Sequence, residues 1–120
     1  MLRYKVIDNK DPYVAFDVFL DTARFNALRI TVSCPSYQDA SLYWTVGAQK
    51  KMEFSDANCK QLGPQGVGEK GSETLLIYLE NGTDFWGSVT SLRIDLGTEI
   101  GQEIAIYSIE AIWIETDFIP

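Results

Sequence analysis

The sequence predicts an all-β domain built as a sandwich or a barrel. Seven or eight short segments are rich in β-branched and aromatic residues, and turn-forming residues separate them at fairly regular intervals. Apolar and polar residues alternate within several of these segments, as in strands with one face in a core. The length of 120 residues fits one domain covering residues 1–120, and we expect it to be part of a larger chain.

Three strands are predicted in the first half of the chain, and a fourth segment is a candidate. The clearest signal is the apolar–polar alternation of residues 27–34. One exception to the β pattern is residues 21–28, DTARFNAL, where Asp21 or Thr22 can cap a single helical turn. In order, the predicted strands are YVAFDVFL at 13–20, ALRITVSC at 27–34 and ASLYWTVG at 40–47, and the candidate is KMEFSD at 51–56.

Three more strands are predicted in the second half: ETLLIYLENG, SVTSLRIDLG and QEIAIYSIEAIWIE. Alternation places five residues in a core, namely Leu92, Ile94, Leu96, Ile104 and Ile106. Strict alternation also puts Ile112 and Ile114 on the same side as Ile104 and Ile106. The side of Glu110 stays open, because a β-bulge near Ser108 would reverse it. Residues 62–72, with four glycines and a proline, predict a mobile loop inside the domain.

Charge and hydropathy exclude several classes of partner. The formal net charge of −7 disfavours nucleic acid and anionic membranes, whereas neutral ligands and cations remain open. No apolar run is long enough to span a bilayer, so no membrane insertion is expected. The N-terminal residues lack the apolar core of a signal peptide. The protein is thus either cytoplasmic or part of a longer exported chain, for which an extracellular or cell-surface location is favoured.

The composition argues against catalysis, and we expect the protein not to be an enzyme. The chain has no histidine, which is the commonest general base and transition-metal ligand. Cys34 and Cys59 lie in no motif that would lower a thiol pKa. Two free, partly buried thiols are the favoured interpretation, and a disulfide in an oxidising compartment is the alternative. Accidental carboxylate pairs are inevitable among seventeen acidic residues, so they carry no evidence for a glycosidase.

The segment DNKD at residues 8–11 is a candidate cation site. Asp8 and Asp11 supply carboxylate oxygens, and calcium takes such ligands from loops. An Asx-type turn ahead of Pro12 explains the same residues without a metal, and is the favoured interpretation. No other cofactor is predicted.

Aromatic residues are the most promising source of ligand contacts, because a neutral sugar stacks on an aromatic ring. In SLYWTV, alternation places Trp44 with the aliphatic core residues and leaves Tyr43 on the other face. Tyr37 lies in the turn-like segment CPSYQD, and Trp113 is either exposed or covers a sheet edge. For each of these aromatic residues, ordinary packing is the favoured interpretation and a ligand contact is the alternative.

An ordered set of short motifs runs through nearly the whole chain. These motifs are DPYVAF, ALRITVSC, SLYWTV followed by FSDAN, Trp86-Gly87, VTSLRID at 89–95, Gly97 and Gly101, and residues 106–111. In this order they resemble the galactose-binding-like, carbohydrate-binding-module-like β-sandwiches. Such domains occur beside glycoside hydrolases, glycosyltransferases and other enzymes of bacterial polysaccharide metabolism. The chain departs from the family pattern at Leu96, where proline is usual, and at Tyr107, where aspartate is frequent.

The resemblance implies an antiparallel jelly-roll β-sandwich that is non-catalytic and binds poly- or oligosaccharide beside a catalytic domain in the same chain. It does not transfer binding residues, and Tyr107 weakens any cation role at that position. The candidate carbohydrate-binding residues are Tyr37, Tyr43, Arg93, Asp95 and Trp113. Arg93 and Asp95 lie two apart on one strand face, so they can reach one ligand or pair with each other.

The alternative hypothesis is a structural or docking β-sandwich domain without sugar affinity of its own. It predicts a contiguous apolar surface patch. The C-terminal sequence WIETDFIP supports it, because Trp113, Phe118 and Ile119 are apolar for a chain end.

Overall fold

In the part of the chain that the computed structural model describes, eight antiparallel strands form two sheets. The structure describes residues 2–7, 13–33, 40–47, 49–61, 73–79, 87–96 and 100–115. The strands are β1 (Leu2–Lys5), β2 (Val14–Asp21), β3 (Ala27–Ser33), β4 (Ser41–Val46), β5 (Cys59–Gln61), β6 (Glu73–Tyr78), β7 (Ser88–Asp95) and β8 (Glu103–Ile112). One turn of 3-10 helix, Asp56–Asn58, precedes β5. Within the described residues, no helix is long and apolar enough to cross a membrane.

The strands form a β-sandwich, which confirms the predicted fold class at that level. The first sheet has the order β1-β8-β3-β6, and the second has the order β2-β7-β4-β5. Side chains from both sheets share one apolar core. The largest fully buried members include Trp44, Leu28, Ile30, Leu42, Leu75, Leu92, Ile94, Leu96 and Ile104. Each such aliphatic side chain stabilises the fold by about 1.5–3 kcal/mol through burial.

Alternation along the central strands agrees with the sequence. In β3, Leu28, Ile30 and Val32 are buried and Arg29 is exposed. In β4, Trp44 is 1% exposed, as predicted for a core residue. Asp95 faces away from the core, as predicted from its neighbours in β7. Period-two alternation decides which residues of a strand share a face. The faces of these strands could therefore be predicted without knowing which strands they pair with.

Two short strands were not predicted, and one candidate strand was wrong. β1 has two charged side chains in four residues, and β5 has only three residues, so neither carries an apolar pattern. In the segment KMEFSD, residues 51–55 form a turn and irregular structure and Asp56 begins the 3-10 turn, so the segment is not a strand. Met52 has a φ of 66°, which no strand residue adopts.

The predicted single helical turn at DTARFNAL is a hydrogen-bonded turn, not a helix. The Asp21 carboxylate accepts a hydrogen bond from the Ala23 backbone N–H at 2.9 Å, and the Asp21 carbonyl accepts one from Arg24 at 3.0 Å. The chain then enters β3 directly at Ala27, so no helix develops. Asp21 therefore caps this turn, as one of the two predicted capping residues.

A β-bulge in β8 overturns the predicted strict alternation of the last strand. Thr31 of β3 pairs with Ser108, but the next residue, Val32, pairs with Ile106, which leaves Tyr107 as the additional residue. Ile104 and Ile106 are buried as predicted. Beyond the bulge, the core-facing position passes to Ile109, which lies opposite the buried Ile30. Two residues are consequently on the outer side: Glu110, which pairs with Arg29, and Ile112, which lies opposite Ala27. Ile114 follows the last residue of β8, so the register does not assign it to a face.

Asn26 is a buried residue that holds the end of β8 against the start of β3. Its side-chain amide donates to the Ile114 carbonyl at 2.7 Å, and its side-chain carbonyl accepts from the Ile114 N–H at 2.8 Å. The Asn26 backbone N–H donates to the Ile112 carbonyl, and the Asn26 backbone carbonyl accepts from the Leu79 N–H, both at 3.1 Å. Asn26 therefore satisfies backbone groups beyond the last residue of β8, where the ladder has ended.

Candidate functional site

The outer face of the second sheet carries a row of side chains that crosses all four strands. Strand register places Ala15 of β2 opposite Arg93 of β7, Arg93 opposite Tyr43 of β4, and Tyr43 opposite Cys59 of β5. Because antiparallel partners point to the same side of a sheet, these four side chains are neighbours on one face. Arg93 and Tyr43 occupy the middle of this row, since β7 and β4 are the two inner strands of the sheet.

Tyr13, Tyr43, Arg93 and Asp95 form a compact group on this face, which we name the tyrosine–arginine cluster. The Arg93 guanidinium carbon is 4.0 Å from the centroid of the Tyr13 ring and 5.0 Å from that of Tyr43. Both distances are within the range of cation–π attraction. Tyr13 is 49% exposed and precedes β2, so its ring borders solvent while it contacts the guanidinium.

Arg93 and Asp95 are paired through two parallel hydrogen bonds along β7. Arg93 Nε donates to Asp95 Oδ1 at 2.8 Å, and Arg93 Nη2 donates to Oδ2 at 2.8 Å. The two side chains are only 18% and 16% exposed, so water screens this pair less than an ordinary surface pair. The double hydrogen bond fixes the guanidinium plane, and the adjacent tyrosine rings hold it in place.

Tyr43 and Cys59 are both neutral at physiological pH. The pKa of the Tyr43 phenol is raised, first by its hydrogen bond with the Cys59 thiol and then by burial. The pKa of the Cys59 thiol is raised by burial, and the hydrogen bond with Tyr43 opposes part of this effect. Cys59 is a free, half-buried cysteine, in agreement with the favoured prediction for this residue. The charges of Arg93 and Asp95 cancel, so the cluster carries no net charge.

The connection between β4 and β5 covers the outer face next to the cluster. The Met52 backbone N–H donates to the Ser91 hydroxyl at 3.2 Å, which places the connection above β7 two residues from Arg93. The Ser91 hydroxyl also contacts that of Thr45, which lies 2.9 Å from the Thr90 hydroxyl. All three hydroxyl residues are buried. The cluster is therefore bordered on one side by this connection, and Met52 is 40% exposed there.

The structure brings together three of the predicted binding residues, Tyr43, Arg93 and Asp95. Trp113 is 50% exposed, but it follows β8 of the first sheet and does not join them. Several predicted features lie outside the described residues: Tyr37, the proposed calcium ligands Asp8 and Asp11, Cys34, and the loop predicted at 62–72.

Tyr13 and the Met52 segment were missed by the sequence analysis. Tyr13 could have been found, because it alternates with Ala15 and Asp17 on the outward side of β2. Nothing in the sequence indicates that Met52 lies over Ser91, because that contact depends on the path of an irregular segment. In the described part of the chain, no group of three or more Cys, Asp or Glu side chains is arranged to hold a metal ion.

Fold and cluster together define the protein as an antiparallel β-sandwich with an aromatic and cationic group on one outer sheet face. No protein-family model matches the sequence, and comparisons with curated proteins and with solved structures gave no match.

Proposed function

We propose that the protein is a non-catalytic carbohydrate-binding module with a jelly-roll fold of the galactose-binding-like type. The strand order supports the fold assignment, because the chain moves from one sheet to the other at every step except between β4 and β5. The described residues form eight strands in two antiparallel sheets, which is the number of strands in a jelly roll. The ordered sequence motifs support the same class.

The tyrosine–arginine cluster is the observation on which the proposed function rests. Sugars combine apolar C–H faces with hydroxyl groups, so they need an aromatic surface next to fixed polar groups. Tyr13 and Tyr43 supply the rings, and the bidentate Arg93–Asp95 pair supplies donor and acceptor atoms between them. Since the guanidinium is already oriented, binding costs little side-chain entropy.

A neutral poly- or oligosaccharide is the ligand that matches this cluster. Arg93 and Asp95 cancel in charge, and the tyrosine and cysteine beside them are neutral. The net charge of −7 on the whole chain further disfavours acidic polymers at this face. The module would act by holding a neighbouring catalytic domain of the same chain, a glycoside hydrolase or glycosyltransferase, close to its polysaccharide.

Affinity gel electrophoresis against a panel of neutral plant, bacterial and host polysaccharides tests the proposal. We expect retardation by at least one polymer, and a loss of affinity of about tenfold or more on Tyr43→Ala or Tyr13→Ala, which corresponds to about 1.4 kcal/mol. Tyr78→Ala is the matched control, because Tyr78 lies on β6 of the other sheet and is also partly exposed. Tyr78→Ala should leave the mobility shift unchanged.

Two results would argue against sugar binding at the cluster. Retardation that survives both Tyr13→Ala and Tyr43→Ala would place the site elsewhere. No retardation by any polymer at millimolar protein would leave the second proposal, a structural or docking domain without sugar affinity. Exposed apolar side chains favour that alternative, since Phe19 is 79% exposed in a β2 bulge and Trp113 is 50% exposed.

A further inference from the structure

The outer face of the first sheet contains a cleft of about 410 Å³, separated by the core from the tyrosine–arginine cluster. Its volume is within the range of small-molecule pockets, about 300–1,000 Å³. We name it the basic cleft and define it by Arg3, Lys5, Ser33, Ala105 and Tyr107, which are among its lining residues. The proposed function involves none of these side chains, and Arg3, Lys5 and Ala105 lie outside the sequence motifs as well.

Small residues make the floor of the basic cleft. Strand register places Arg3 of β1 opposite Ala105 of β8, and Ala105 opposite Ser33 of β3. Ala105 points outward with these partners but is only 5% exposed, so larger neighbours rise around it. A methyl group and a hydroxyl group at the centre of the sheet therefore lie below the level of the long side chains on either side.

Tyr107 forms one side of the cleft because of the β8 bulge. As the additional residue of that bulge it has no partner in the ladder with β3, and its ring is 40% exposed. A bulge changes the direction in which a side chain leaves the sheet. An aromatic surface thus stands next to the polar floor at Ser33.

The charge in the cleft is positive, although the whole chain is acidic. Arg3 and Lys5 alternate on β1, which puts their Cα atoms about 7 Å apart on one face. Among the described lining residues, Glu103, opposite Lys5, is the one acidic side chain, so these residues together carry one positive charge. Among the described residues, neither Arg3 nor Lys5 forms an ion pair within 4.0 Å.

We infer that the basic cleft is a second binding site, and that its ligand is a sugar residue with one carboxylate, a uronate. The carboxylate would bind Arg3 and Lys5, the sugar ring would pack on Tyr107, and a ring hydroxyl would reach Ser33. Glu103 would repel a second negative charge, which selects against phosphate and other dianions. This inference stands apart from the proposed function, because no residue is shared with the tyrosine–arginine cluster.

Charged residues on an edge strand have another role, which is to prevent edge-to-edge aggregation. β1 is an edge strand, so Arg3 and Lys5 serve that role whether or not a ligand binds. The edge role does not require a cleft or an exposed aromatic ring beside the charges. The two roles are separable, since only ligand binding predicts a selective response to a carboxylate.

An NMR titration of the 15N-labelled chain with sodium D-glucuronate tests the second site, with D-glucose and inorganic phosphate as comparison probes. We expect saturable amide shifts at Lys5, Ser33 and Ala105 with glucuronate, none with glucose, and weaker binding of phosphate. The affinity should fall with added sodium chloride, because salt screens the contact with Arg3 and Lys5. Shifts centred on Tyr43 and Arg93 would instead report the tyrosine–arginine cluster, so failure of one site is distinguishable from failure of the other.

The double variant Arg3→Gln/Lys5→Gln should weaken glucuronate binding at least tenfold, and Tyr107→Ala should weaken it severalfold. Arg29→Gln is the matched control, because Arg29 carries the same charge on the same outer face but lies outside the cleft, paired with Glu110. Three results would each overturn the inference. They are a loss of glucuronate affinity in Arg29→Gln equal to that in the double variant, amide shifts with glucose equal to those with glucuronate, or no saturable shifts at Lys5, Ser33 and Ala105. Retained amide dispersion in every variant establishes that the sheet is intact.

Discussion

The two arginine–carboxylate ion pairs, Arg93–Asp95 and Arg29–Glu110, differ in how far their side chains are buried. Arg93 and Asp95 are mostly covered, so their two hydrogen bonds define a fixed group within the tyrosine–arginine cluster. Arg29 and Glu110 join β3 to β8 in a similar two-bond arrangement, with side chains that are 46% and 47% exposed. Water and salt screen the exposed pair, so it adds little to stability. The two pairs have similar two-bond geometry, so burial, and not geometry, is what distinguishes them.

The ionisation of Glu110 gives a direct test of the cross-strand pair. The hydrogen bond from Arg29 and its positive charge lower the pKa of the Glu110 carboxyl. Carbon-detected NMR titration should therefore give Glu110 a pKa below the ordinary value of about 4.3, and Arg29→Gln should restore that value. Because the folded-state pKa is lowered, the stabilisation is present above the ordinary pKa and is lost as pH falls through the folded-state pKa. An unchanged Glu110 pKa in Arg29→Gln would show that the pair does not persist in solution.

Irregularities in individual strands decide which residues reach the surfaces. In β8 the bulge at Tyr107 exposes an aromatic ring and reverses the sides of the residues that follow. In β2 and β7, two residues, Val18 and Phe19, oppose the single residue Thr90, and Phe19 is left exposed. The basic cleft is therefore shaped by the β8 bulge as well as by residue type, and the β2 bulge accounts for the exposure of Phe19 outside both proposed binding sites.

The entry to β7 depends on a glycine with a left-handed backbone. Gly87 has a φ of 72°, and its carbonyl accepts hydrogen bonds from the Thr22 N–H and hydroxyl, both at 2.9 Å. A Cβ added at Gly87 meets no atom within 4 Å, so Gly87→Ala should cost only the backbone term, about 1–2 kcal/mol of unfolding free energy. Urea denaturation measures this loss.

Gly47→Ala is the matched control for Gly87→Ala. Gly47 does not have a positive φ, and an added Cβ would make only an ordinary contact at 3.9 Å. Alanine there should be neutral, or stabilising by about 0.4–1 kcal/mol, because it restricts the unfolded chain. Equal destabilisation by both substitutions would contradict the argument from backbone conformation.

Across the whole molecule, nearly every strand pairs with one that is distant in sequence. β1 pairs with β8, β2 with β7 and β3 with β8, so that Leu2 lies opposite Ile106. Among the strands of the described residues, only β4 and β5 are consecutive in the chain and paired with each other. Such an arrangement must close long loops before its contacts can form, and it gives the sandwich a high contact order.

The rate of refolding from urea, measured by stopped flow, should reflect the high contact order of this topology. We expect the main phase to take milliseconds to seconds, as in other β-sandwiches, with any proline-limited phase separated at about 10–100 s. Tryptophan fluorescence is a suitable probe because Trp44 is buried between the sheets. Refolding within microseconds would be inconsistent with the strand pairing described above.

The sequence by itself determined the local features of this protein. Alternation along β3, β4 and β7 was sufficient to place Ile30, Trp44 and Ile94 in a core and Tyr43, Arg93 and Asp95 outside it. These features follow from a two-residue period that each strand carries on its own. The strands missed, β1 and β5, are short and have no such period, so only pairing with a neighbour makes them strands.

Only the tertiary structure decided which of those outward residues meet. Tyr13, Tyr43 and Arg93 come from positions far apart in the chain, and the register of β2, β7 and β4 makes them neighbours. The same is true of Arg3 and Tyr107, which the β1–β8 pairing and a bulge bring to one cleft. Register and bulges are set by the fit of whole sheets around a shared core, and no local period encodes that fit.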